Sequence, residues 1–478
     1  MTIGSSFSEQ RIEELVEEGK EEILRLERQP GLFVLETDAV IESFLKTLEN
    51  GQVRTVGPEL VFGTIYDSIG FGALESELFR HLVVARLAFP LSKLKTVEYL
   101  YRFQGVRIEV DTVYRFLDKL SGELKEQVEQ IGFAHTKRVL EGDLSLVFYD
   151  LTTLYFEAGD EDDLRKTGFS KDGKHSNPQI YLGLMVGLGG FAIGYEIFEG
   201  NIFEGHTLIP LIEKMSARFE LSKPVIVADA GLLNRRNIED LEARDYEYIL
   251  GARLRNERGA VKDEITGKDF RNGEHTVFEK ERSRLIVQYS EQRAKKDGHN
   301  RRRGLKRLEK LIKSGKLTKA SLNNRGYNRY LTMKGEVSVE IDMEKFDRDR
   351  RWDGLKGYET NCGLLPNEII GHYRNLWQIE KAFRMSKTDL RIRPVYHRLR
   401  HRIEAHICLS FTAYAVYKEL ERILKQADFE LSVEKATEIT QNIYELEIIL
   451  PQSLQPRKII LKTDDLQTRL LQIIQKKV

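Results

Sequence analysis

The stretch LSLVFYDLTTLYFE, Leu144 to Glu157, decides how the chain is read. It is rich in β-branched and aromatic residues, which suit a pleated and packed surface, and it reads as a strand buried on both faces. Asp150 interrupts it. An ionised carboxylate in such a strand is very costly alone, so it must be neutralised, paired or bound to a cation.

Downstream the pattern stays strand-like. YLGLMVGLGGFAIGYEIFEG, Tyr181 to Gly200, has a Gly-rich turn between two apolar runs and predicts a hairpin. Its GLGGFAIG has the look of a phosphate-binding loop. Strand-like residues follow it, however, so no helix N-terminus is present to hold a phosphate. A helix (His206 to Phe219), a strand (PVIVADA), a helix (Arg236 to Ala243) and a strand (YEYILGARL) come next. That alternation after a meander predicts a mixed sheet with helices on its faces. Asp229 ends the run VIVADAG, at the C-terminal edge of a short buried strand, where α/β sheets build their sites.

A third acid stands in YRNLWQIEKAFRMSK, Tyr373 to Lys387, which reads as one helix free of Pro and Gly. At ~100° per residue, Glu380 falls among Tyr373, Leu376, Trp377, Phe383, Arg384 and Lys387, in the middle of an apolar, aromatic face. Trp377 is expected in the core. Each acid has a purely structural reading. Asp150 can cap a turn, Asp229 can cap the next helix, and Glu380 can pair with Arg384 or Lys387. Strand-Asp, strand-Asp and helix-Glu in that order is more specific, and predicts three core-facing carboxylates converging on cations. Oxygen ligands suit Mg²⁺ or Mn²⁺, and two such ions can activate an attacking oxygen and stabilise a leaving one at a phosphodiester. His397, His401 and His406 lack zinc spacing.

The 478 residues, 41% hydrophobic and 31% charged, imply two to four domains and a large core. The acidic, helical opening is unlike a signal peptide, and no run approaches the ~18 apolar residues of a membrane span. Two cysteines, Cys362 and Cys408, make no disulfide framework. A cytoplasmic protein is expected. The net charge of zero conceals a basic stretch: Arg293 to Arg329 holds fourteen Lys or Arg and two acids in 37 residues. Arg301, Arg302, Arg303, Lys306 and Arg307 sit in it, with little apolar surface to pack, and are expected to meet nucleic acid. Leu91 to Leu120 is a helix-turn-helix candidate, with Ser92 placed to cap the first helix, Gly105 to break it and Asp111 to cap the second.

From Leu144 to Leu420 the chain resembles the DDE transposases of bacterial insertion sequences, in the branch with a β-rich insertion and a Tyr-Arg-Glu-Lys signature. YDLTTLYFE is similar to the first-Asp motif, GFSKDGKHSNPQI to the segment that follows it, and EGNIFEGHT to the Gly-Asn turn before the next helix. VIVADAGLLN is similar to the second-Asp motif, and the segment Tyr358 to His397 to the last one, with Tyr373 seven before Glu380 and Lys387 seven after. The signature Arg, four before the Glu, is Leu376 here, with Arg374 and Arg384 nearby.

The resemblance implies an RNase H-like α/β core, a mixed five-stranded sheet with flanking helices, interrupted by a β-rich insertion. It implies Asp150, Asp229 and Glu380 as ligands of two Mg²⁺ ions, with Mn²⁺ as substitute. Tyr373, Lys387 and Arg384 would hold DNA phosphate, with Arg391 and Arg393 continuing the track. Hydrolysis at the terminal inverted repeats and strand transfer into target DNA would follow, by a homodimer assembled on DNA, with no membrane and no nucleotide cofactor. The implied division is a helical DNA-binding domain (1–140), a catalytic domain in two parts (141–260 and 351–425), a basic insertion (261–350) and a helical tail (426–478). A simple nuclease with the same acids, or a non-catalytic DNA-binding descendant, are the rival readings.

Overall fold

In the computed structural model, residues 4–5, 8–28, 36–120, 122–157, 159–168, 176–232, 234–314, 326–334, 338–450 and 453–478 are described. Most of GFSKDGKHSNPQI and the end of the basic stretch, 169–175 and 315–325, lie outside them.

The β-branched runs form one sheet of eight strands: β1 Leu146–Tyr155, β2 Gln179–Val186, β3 Ala192–Glu199, β4 Val225–Ala228, β5 Tyr248–Ala252, β6 His275–Glu279, β7 Arg284–Tyr289 and β8 Leu355–Thr360. Their spatial order is β3-β2-β1-β4-β5-β8-β7-β6. The first three strands pair antiparallel, and β1, β4 and β5 run parallel. This is the RNase H-like arrangement. The expected five strands are eight because β8 pairs antiparallel with β5 and carries β7 and β6 beyond it. A free β5 edge would leave a row of backbone groups unpaired, and the extension satisfies them. The Gly-rich turn after β2 is a hairpin turn, with Gly189 and Gly190 at φ 75° and 79°, left-handed values that glycine adopts without strain.

Alternation along β1 feeds two cores. Leu146, Phe148 and Leu154 join the larger, which includes Ile379 and Phe383. Val147, Tyr149 and Leu151 join the other, with Leu208, Leu211 and Ile212 of the helix α5 Leu208–Phe219. The larger core runs through the N-terminal helices α1 Glu77–Ala88, α2 Lys93–Tyr99, α3 Val110–Leu120 and α4 Glu123–Val139. α1, α3 and α4 rest on α9 Arg400–Gln426, a long helix buried over most of its length. The insertion holds α6 Glu291–Lys313, a helix of 23 residues, and a two-stranded sheet of Leu331–Lys334 and Ser338–Ile341. β6 and β7, which also fall within 261–350, supply its other strands.

Two expectations need correction. Tyr373 to Lys387 is not one helix but two, α7 Pro366–Arg374 and α8 Trp377–Thr388. Between them Asn375 and Leu376 bond to His372 and Tyr373 with i→i+3 spacing, which tightens the turn and resets the phase of α8. The last fifty residues are not purely helical either. Tyr444–Ile449 pairs with Val53–Thr55 on one side and with Pro456–Ile460 on the other, so the tail folds back on the N-terminal region.

Candidate active site

The register of β1 against β4 pairs Phe148 with Val227 and Tyr149 with Ala228. The next pair in that register is Asp150 and Asp229. Strands lie ~4.8 Å apart, so the two acids leave the ends of neighbouring strands side by side. Phe148 and Val227 both face the larger core, and alternation turns Asp150 and Asp229 to that same face. The helix α8 lies over it, burying Ile379, Ala382, Phe383 and Met385 and presenting Glu380 in its first turn.

None of the three acids is core-buried, contrary to expectation. Asp229 and Glu380 are exposed and Asp150 is half-buried. Asp229 stands one residue beyond the last ladder position of β4, and the break before α8 puts Trp377, Glu380 and Arg384 on its outer face. Trp377 is 55% exposed rather than part of the core. No three His, Cys, Asp or Glu side chains close to metal-holding distance among the described residues. The Asp pair shares one face with the helix that carries Glu380, without a closed set of three ligands.

Asp229 has a fixed partner. Tyr373, buried at the end of α7, donates its hydroxyl to Asp229 Oδ1 at 2.8 Å. Gly251 on β5 permits this, since a Cβ there would stand 2.4 Å from the Tyr373 hydroxyl. Burial pushes the Tyr373 phenol well up, and the negative charges of Asp229 and Glu380 add to the shift. Its hydroxyl therefore stays protonated and donating. In this structure the Tyr373 hydroxyl is engaged by the Asp229 carboxylate.

Residue-type patterns missed Lys356 on β8. Its ammonium lies 4.3 Å from the centre of the Tyr373 ring. Burial lowers its pKa and Arg293 lowers it further, while Asp229 and Glu380 pull it up. One lysine thus lies in the field of two of the three acids. A cavity of about 640 Å³ opens here, lined by Asp229, Arg253, Arg293, Lys356 and Tyr373. The basic helix α6 contributes Arg293 to it, so the insertion and Asp229 share one cleft, which Asp150 and Glu380 do not line.

Of the remaining basic residues, Arg384 and Arg391 are exposed, and Lys387 and Arg393 half-buried. Arg393 lies 5.8 Å over the Tyr155 ring at the end of β1. On α6, Arg302, Arg303, Lys306 and Arg307 are exposed. Arg301 is a correction. Its guanidinium turns inward to Asp353 at 2.7 Å and lies 4.8 Å over the Phe346 ring, so it holds the insertion together. In the helix-turn-helix candidate, Ser92 caps α2 and Gly105 breaks the chain at φ 70°. Asp111 lies inside α3 rather than before it. Val113, Leu117 and Leu120 pack inward, and Asp111, Arg115, Asp118 and Lys119 face solvent. That outer face is of mixed charge.

Residues 142–416, more than half of the chain, match the family described as transposase DDE domain. No curated protein matches the chain. A solved structure it is similar to is a piggyBac transposase synaptic complex with hairpin DNA, at 9% identity over 80% of this chain and 79% of that one, with a TM-score of 0.37.

Proposed function

The chain belongs to the transposase DDE domain family, and we propose on that premise that it cuts DNA at the ends of an insertion sequence and joins them to target DNA. The observation that carries this reading is the side-by-side exit of Asp150 and Asp229 on the face covered by the helix of Glu380. Carboxylate oxygens alone, with no imidazole or thiolate, suit hard divalent cations. Asp150, Asp229 and Glu380 would together hold two Mg²⁺ ions. Bound there, the cations would supply Lewis acidity at the phosphodiester and lower the pKa of an attacking water.

The chain's own residues would do the positioning. Tyr373 fixes the Asp229 carboxylate. Lys356 and Arg293 attract the scissile phosphate into the cleft, and Arg384 and Lys387 hold the strand beside Glu380. Trp377, exposed one turn before Glu380, offers a ring on which an unpaired base can stack. Arg302, Arg303, Lys306 and Arg307 neutralise flanking duplex. DNA with terminal inverted repeats is the proposed substrate, a homodimer on DNA the working assembly and the cytoplasm the compartment. The proposed division is a helical DNA-binding domain (1–140), a catalytic domain in two parts (141–260 and 351–425), a basic insertion (261–350) and a tail of mixed helix and strand (426–478).

The test uses purified full-length protein, Mg²⁺ and DNA carrying the element ends. Cleavage and joining are expected, and Asp150→Asn, Asp229→Asn and Glu380→Gln should each abolish both while leaving DNA binding. Full activity in any one variant would remove that acid from the site. Cleavage without joining would identify a nuclease instead.

A further inference from the structure

A second cavity, of about 790 Å³, lies between the start of α2 and the segment joining α8 to α9. Its lining is cationic. Arg86, Lys93, Arg391, Arg393, Arg398 and Arg402 contribute to it, and among the described residues no Asp or Glu does. Arg86 is 7% exposed and Lys93 8%. Arg86 is held in place by the carbonyls of Leu390 and Arg391, at 3.2 and 3.3 Å, and by His406 Nδ1 at 3.3 Å. His406 Nε2 lies 3.0 Å from the Ile392 carbonyl, so that nitrogen carries the proton and Nδ1 accepts. His406 is therefore neutral and adds no charge of its own. Lys93 has no such support. Among the described residues, no carboxylate or carbonyl accepts from its ammonium, which lines the cavity.

Two of the lining arginines, Arg402 and Arg398, already have an acid beside them. Asp118 binds Arg402 and His401, and Asp160 stands 3.9 Å from the exposed Arg398. Two buried cations with no anion are expensive to hold. Burial lowers the pKa of Arg86 to about 10 and that of Lys93 well below the usual lysine range, Lys93 being lowered further by Arg86. An anion between them would offset that cost.

We propose that this cavity is a phosphate-binding subsite, with Lys93 and Arg86 at its floor and Arg391 and Arg393 at its mouth. Resting on the function proposed above, its occupant is a backbone phosphate of the bound DNA. Arg393 reaches over Tyr155, five residues along β1 from Asp150. At ~3.3 Å per residue that is about 17 Å, or roughly five base pairs of duplex from the carboxylates.

The experiment has two arms, both on the full chain without Mg²⁺, so that loss of catalysis cannot mimic failure. In the first, melting is followed with inorganic phosphate and pyrophosphate. Wild type should melt several degrees higher with either, and Lys93→Met should not respond. Lys93→Met should itself melt no lower than wild type, since it removes an uncompensated buried charge. In the second, single methylphosphonates replace phosphates along an element end. One position about five base pairs from the cleavage point should weaken wild-type binding about tenfold and leave Lys93→Met unaffected. Arg391→Gln, at the exposed mouth, should show a smaller loss at that position. A melting response without a sensitive position keeps the subsite and assigns it to a free phosphate. Equal melting responses in wild type and Lys93→Met, or none in either, overturn it.

Discussion

The Tyr373 hydroxyl and the Asp229 carboxylate, 144 residues apart in sequence, meet at 2.8 Å. A bond of this kind to a charged group contributes about 1.5–3 kcal/mol, and here it fixes which way the carboxylate faces. Tyr373→Phe keeps the ring against Tyr358 and removes only the donor. Cleavage at saturating DNA should fall about 10- to 100-fold while DNA affinity stays within about twofold. An undiminished single-turnover rate would show that Asp229 needs no such orientation.

Lys356 competes with cations for the field of Asp229 and Glu380. Lys356→Met should lower the Mg²⁺ concentration giving half-maximal cleavage by about fivefold, the effect of roughly 1 kcal/mol of removed repulsion. DNA affinity should weaken at the same time, since a phosphate loses its lysine. Movement of both quantities in the same favourable direction would contradict this placement.

The exposed row on α6 and its inward neighbour should separate cleanly. Neutralising Arg302, Arg303, Lys306 and Arg307 together should flatten the dependence of log affinity on log salt by up to about 3.6, at ~0.9 per lost phosphate contact. Arg301→Gln should leave that slope alone and lower the melting temperature, because Asp353 loses its partner. A slope change from Arg301→Gln alone would place that residue at the DNA.

Acid should loosen the joint between α4 and α9. Burial raises the Glu419 carboxyl, but the hydrogen bonds from Arg422 and the nearby His135, 3.3 Å away, outweigh it and bring the pKa to about 2. A depressed carboxylate stabilises the fold above its unfolded pKa, 4.5, and that support fades as pH falls towards 2. The contribution at neutral pH is about 3 kcal/mol. Glu419→Gln should therefore be less stable at pH 7 and lose less between pH 4.5 and 2, measured by denaturant unfolding. Parallel stability curves for the two proteins would refute it.

Much of the sheet was legible because β-branched runs announce themselves locally. β1, β2, β3, β4 and β5 coincide with, or largely overlap, runs that read as strands. The side-by-side placement of Asp150 and Asp229 was not, since it depends on β4 pairing with β1 after 75 residues of intervening chain. Glu380 and Trp377 were assigned the wrong surroundings for one reason. Helical phase was carried through Asn375 and Leu376, where i→i+3 bonds interrupt it. From sequence alone Asp229 reads as core because it directly follows the apolar run, whose strand ends one residue earlier at Ala228. Lys93 and Lys356 escaped notice because a lysine in a helix or strand is ordinarily turned to water. Nothing in their neighbours signals otherwise.

The small sheet that joins Val53–Thr55 to Tyr444–Ile449 carries a consequence for biosynthesis. A ribosome has made more than nine-tenths of the protein before residue 53 meets its hydrogen-bonding partner. The N-terminal helices thus wait, incompletely closed, until the final helices emerge. A chain cut short before residue 444 therefore lacks the strand with which Val53–Thr55 pairs.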